Sequence, residues 1–159
     1  MLERLKELFN ARGVPADDIV QAHGGAYAAA MLLIEVAWAD HDISSRELDA
    51  AKRAIGKLFV LDADIVSTVV ARARHDHAES TSIYPFTREL NQHLTPTEKR
   101  ELISMLWRLA YTDAVLTGYE ERSIRRIAEL LYVSHGDFIS AKQEGRGAAG
   151  VNAKPPPER

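Results

Sequence analysis

The chain has 159 residues, 46% of them apolar and 27% charged, which is the composition of an ordinary folded domain and about one domain's length. Its net charge of −3 runs against a general nucleic-acid binder, which usually carries a basic excess. It has no cysteine, so disulfides, thiolate nucleophiles and cysteine-ligated zinc are excluded.

The opening MLERLKELF is amphipathic and charged, unlike a signal peptide. Leu2, Leu5, Leu8 and Phe9 predict a short first helix that stops at Gly13-Val14-Pro15. Residues 16–23 predict another, broken by Gly24-Gly25. Residues 1–25 together read as an N-terminal helical extension. The run 26–34 is the longest apolar stretch, too short to cross a bilayer, and it ends at Glu35. The protein is therefore expected in the cytoplasm without membrane insertion.

Residues 26–40 are apolar nearly all round, which predicts a central helix. After a loop at 41–43, Ser44 and Glu47 form a capping-box signature, with Ile43 and Leu48 at staple positions. Leu48, Ala51, Ile55 and Leu58 make the buried stripe of that helix. Asp62 begins a third helix running to about Arg74. Residues 75–82 read as a polar connector. Pro85 opens a linking helix. Thr95-Pro96-Thr97-Glu98 is a strong helix start, and Leu102, Met105, Leu106 and Leu109 follow. Thr117 and Glu120 make a further capping box, with Ile124, Ile127, Ala128 and Leu131 behind it. Ser134 and Asp137 start a last helix ending near Glu144. The segment 145–159, GRGAAGVNAKPPPER, reads as a disordered tail. No segment alternates as a strand would. The fold class is all-α.

Two stretches of this pattern are copies of each other. Residues 31–65 shifted by 73 fall on 104–138 without a gap. Leu33 meets Leu106, Ala37 meets Ala110, Asp40 meets Asp113 and Glu47 meets Glu120; Arg53 meets Arg126 and Leu58 meets Leu131. This predicts two pseudo-symmetric helical repeats, about 26–75 and 96–144, in one domain of residues 26–144.

The repeat places carboxylates at the same corner twice. Asp40 and Asp113 end one helix, and Glu47 and Glu120 start the next. An aspartate at a helix C-terminus faces about half a negative charge. Either a cation offsets it, or the aspartates cap the next helix or pair with an arginine such as Arg46 or Arg122. Asp42 adds a carboxylate to the first corner. Oxygen ligands suit calcium, magnesium or manganese. The spacing is not that of an EF-hand.

Asp40-His41-Asp42-Ile43-Ser44-Ser45-Arg46-Glu47, preceded by Ala39, resembles the signature of the tellurite-resistance TerB-like family. Asp113 to Glu120 resembles its degenerate second copy. The glycine usual after the aspartate is His41 in one copy and Ala114 in the other. The resemblance implies an all-α fold of about seven helices with internal symmetry. It also implies a non-enzymatic module of stress response with an acidic, metal-binding surface, here Asp40, Glu47, Asp113 and Glu120, to which the sequence adds Asp42, and a protein partner. A metal-free interaction scaffold is the alternative.

His75-Asp76-His77-Ala78-Glu79 carries metal-ligand residue types, but residues two apart on a helix do not face each other. Glu35 and Arg108 occupy equivalent positions on the two apolar helices and are read as a candidate buried ion pair across the repeats. Arg122, Arg125 and Arg126 are read as a solvated face. Trp38 and Tyr111, beside the two aspartates, are read as packing residues. No phosphate-binding glycine loop, serine elbow or His-Glu-x-x-His appears, so no enzyme is expected.

Overall fold

The computed structural model describes residues 15–37, 44–79, 82–113 and 117–148. The expected helix at 2–9, Trp38, the staple residue Ile43 and the tail beyond residue 148 lie outside them. Eight α-helices follow in order: α1 Ala16–Ala22, α2 Gly24–Ala37, α3 Ser45–Phe59, α4 Ala63–His77, α5 Tyr84–His93, α6 Pro96–Ala110, α7 Gly118–Leu130 and α8 His135–Ala148. A 3-10 turn, Tyr111–Asp113, follows α6. Among the described residues there is no strand, and the fold is all-α.

Local chemistry sets most of these starts. At Thr95 the hydroxyl oxygen accepts the Glu98 N–H at 3.2 Å, and the Glu98 carboxylate accepts the Thr95 N–H at 2.9 Å. Pro96 sits at the first helical position, where no backbone donor is lost. Asp62 stands at the cap of α4 but makes no side-chain capping bond. The two glycines expected to break the chain open α2 instead. The break lies at His23, where α1 and α2 meet at 96°.

α2 is the hub. It packs on α1, α3, α4, α5, α6 and α7, most extensively on α4. Hence it is apolar on every side: residues 28–34 are all buried. Burial along α6 follows the 73-residue offset. Positions 29–34 and 102–107 are buried, Glu35 and Arg108 are half-buried, and the next two residues of each helix are buried again. In α3 and α7 the buried pairs are Glu47/Glu120, Ala51/Ile124, Ala54/Ile127 and Ile55/Ala128. Among the described residues no single helix is long and apolar enough to cross a membrane.

α3 and α7 end alike. The Leu61 N–H reaches the Gly56 carbonyl at 3.1 Å, and the Val133 N–H reaches the Ala128 carbonyl at 3.0 Å. These wrap-around bonds require a left-handed residue, usually glycine. Here Val60 has φ 53° and Tyr132 φ 58°. Val60 is 87% exposed, so its side chain gains little packing in return. A β-branched residue in this region is strained by about 1–2 kcal/mol. Val60→Gly is expected to stabilise the fold by about 0.5–1 kcal/mol, after the extra unfolded-state freedom of glycine is subtracted. Urea denaturation checks this, and an unchanged or lower midpoint contradicts it.

The last helix corrects a domain boundary. Residues 145–148, expected in a disordered tail, belong to α8. Gly145 is buried where α8 crosses α6. The glycine that suggested disorder is the residue that lets two backbones approach.

Candidate functional site

The acidic corners come first. Glu47 and Glu120 are 7% and 8% exposed. Ser44 Oγ accepts the Glu47 N–H at 3.1 Å, and its hydroxyl donates to Glu47 Oε1 at 3.1 Å. Thr117 Oγ1 accepts the Glu120 N–H at 3.1 Å, while Glu120 Oε1 accepts the Thr117 N–H at 3.1 Å. Both carboxylates therefore sit at helix N-termini, where the dipole favours an anion. Asp40, Asp42 and the Asp113 side chain lie outside the described residues; Asp113 itself ends the 3-10 turn. Among the described residues no group of three or more histidine, cysteine or acidic side chains is placed to hold a metal ion.

The His75–Glu79 stretch does not converge. His75 to His77 form the last turn of α4, and the side chains of 76 and 77 reach different targets. The Tyr27 hydroxyl donates to Asp76 Oδ2 at 2.5 Å. Burial, then that bond to a carboxylate, hold the Tyr27 hydroxyl well above its ordinary value. His77 Nε2 lies 3.3 Å from Glu35 Oε1, with side-chain exposures of 10% and 22%. Which ring nitrogen carries the proton follows from its tautomer.

Glu35 thus turns toward α4. Among the described residues, Arg108 is not within ion-pair distance of it. The reason is packing: α2 makes its widest contact with α4, and α6 with α8, so equivalent positions on α2 and α6 face different neighbours. Tyr111 is buried and stacks on Trp107 at 6.0 Å between ring centroids. It is a core residue, as its position suggested.

Glu35 and His77 line an open pocket of about 310 Å³. Met31, Ile83 and Phe86 give it an apolar wall. Tyr119, Arg122, Ser123 and Arg126 of α7 line it as well. The sequence reading missed this site, because it treated the arginines as a solvated face. The one available signal was spacing: 119, 122, 123 and 126 share one face of a helix. A second groove of about 290 Å³ runs between α3 and α4, with Lys52, Arg74 and His75 around Leu48 and Val70.

The chain is thus an all-α unit with a buried central helix and a buried glutamate at the start of both α3 and α7. The family model described as tellurite resistance protein TerB matches residues 26–143, and the chain belongs to that family. The match spans both repeated segments and both acidic corners. No curated protein and no solved structure matches the chain.

Proposed function

We propose that this chain is a non-enzymatic TerB-family binding module of the tellurite and stress response, taking a divalent cation at its acidic corners and docking a protein partner. The observation that carries this reading is the burial of Glu47 and Glu120 at equivalent positions 73 residues apart, each at the start of a helix and seven residues after an aspartate in the sequence. A buried carboxylate is costly unless it is hydrogen-bonded or paired with a cation. The donor set is all carboxylate: Asp40, Asp42 and Glu47 in one corner, Asp113 and Glu120 in the other. Hard oxygen donors fit calcium, magnesium or manganese. The cation would supply positive charge to neighbouring carboxylates that otherwise repel one another.

A second reading, a metal-free scaffold, is favoured by one observation. The Glu120 carboxylate already caps the Thr117 N–H, and the Glu47 carboxylate already accepts the Ser44 hydroxyl. One titration separates the two. Metal-free protein is titrated with calcium, magnesium, manganese and zinc, following backbone NMR shifts, alongside Asp40→Asn/Asp113→Asn. Saturable shifts at both corners below millimolar ion, lost in the double variant, are expected. Flat spectra up to millimolar ion would leave the carboxylates as caps, and the scaffold reading would stand.

A further inference from the structure

The pocket between α2, α4 and α7 holds charges that neither the helix caps nor the acidic corners use. Arg122 and Arg126 stand one turn apart on α7, and both border it. Among the described residues neither forms an ion pair, although Arg125 beside them lies 3.8 Å from Glu121. Two like charges at this spacing disfavour a helix. An anion seated between them removes the repulsion. Guanidinium forks match oxyanion geometry and bind it bidentately. Ser123 adds a hydroxyl on the same face.

The same pocket also has a carboxylate in its lining. It is that of Glu35, kept in place by His77 at 3.3 Å. A fully ionised anion would set bare oxygens against that carboxylate. A singly protonated anion would instead donate its own O–H to Glu35, which as a carboxylate accepts on either oxygen. Its charged oxygens would then face the arginines. The 310 Å³ of space far exceeds the roughly 30 Å³ of one water. The apolar wall of Met31, Ile83 and Phe86 leaves room for an organic body.

We propose that this pocket binds a singly protonated oxyanion of the hydrogen-phosphate type, free or as a phosphate monoester, with Arg122 and Arg126 holding its charged oxygens and Glu35 accepting its proton. The carboxylate makes the site selective. Sulfate has nearly the same shape and carries no proton near neutral pH, so Glu35 repels it.

The test uses the full chain at fixed ionic strength and pH 6, where a phosphate monoester, with a second pKa of about 6, still carries its proton in about half of the molecules. Backbone NMR follows titrations with inorganic phosphate, phenyl phosphate and sulfate. Saturable shifts around His77, Tyr119 and Arg126 are expected with phosphate, and binding of sulfate about tenfold weaker or less. Tighter binding of phenyl phosphate than of free phosphate would assign the monoester; the reverse would assign the free ion. Arg122→Gln/Arg126→Gln changes two exposed side chains and should weaken phosphate about tenfold. Glu35→Gln should weaken phosphate and bring sulfate level with it. Equal affinity for phosphate and sulfate in the native chain overturns the proposal. So does unchanged phosphate binding in the arginine variant. Should Glu35→Gln fail to fold, those two comparisons decide the matter alone.

Discussion

Gly145→Ala is expected to cost about 3 kcal/mol and to lower the thermal midpoint by about 10 °C. A Cβ at this position would lie 2.5 Å from the Ser104 carbonyl oxygen, 2.6 Å from Trp107 Cβ and 2.9 Å from the Arg108 nitrogen. Two of those atoms are backbone, so no side chain can swing aside to make room. α8 would have to move off α6, and this is the most extensive helix pairing in the fold. In an exposed helix the same change would stabilise, since alanine has the better helix propensity. The sign of the effect therefore reads the crossing directly. Gly147→Ala is the control, because a Cβ there meets nothing within 4 Å. Calorimetry on the two variants checks both signs. A Gly145→Ala midpoint at or above the native value would mean that α8 does not sit this close to α6.

Trp107→Ala is expected to cost about 4 kcal/mol, by opening a cavity rather than closing a gap. Trp107 is fully buried. Its ring packs on Phe138 at 5.6 Å and 65°, and on Tyr111 at 6.0 Å and 27°. Lys142 Nζ lies 4.9 Å from the ring centroid and 3.6 Å from Glu121. The truncation therefore removes contacts from α6, α8 and the 3-10 turn together. Trp107→Phe should lose much less. The indole N–H has no hydrogen-bond partner among the described residues, so the smaller ring gives up area but no hydrogen bond. Urea denaturation of both variants checks the order. The two costs should not cancel in a Gly145→Ala/Trp107→Ala double variant. Removing the indole leaves Trp107 Cβ, the Ser104 carbonyl and the Arg108 nitrogen where they are.

What could be read from the sequence was what local chemistry decides. Thr95-Pro96-Thr97-Glu98 and Thr117 to Glu120 announced helix starts, and both capping boxes are formed. The apolar character of residues 26–37 announced a central helix, because only a helix surrounded by others can be apolar on all sides. Where tertiary geometry decides, the reading stopped. Gly145 looked like tail composition, since a glycine selected for close approach is spelled like one selected for freedom. Glu35 was matched to Arg108 by repeat position, yet its partner is His77, set by the way α2 crosses α4. The pocket beside Glu35 was illegible for the same reason: its walls come from helices far apart in the chain. The acidic corners were legible as a pattern. Pattern alone does not assign them a ligand, since a glutamate at this position also satisfies a helix start, as Glu120 does.

The position of α2 bears on cooperativity. The sequence repetition suggests two modules that could melt one after the other. But α2 belongs to the first copy and packs on α6 and α7 of the second. Losing the second half would strip the middle of the first, and the remaining helices could not shield Leu32, Leu33 and Ile34 from water. The described helices are therefore expected to unfold in one transition, with coincident calorimetric and spectroscopic midpoints. The repetition is a boundary in the text of the sequence and not in the energy of the fold.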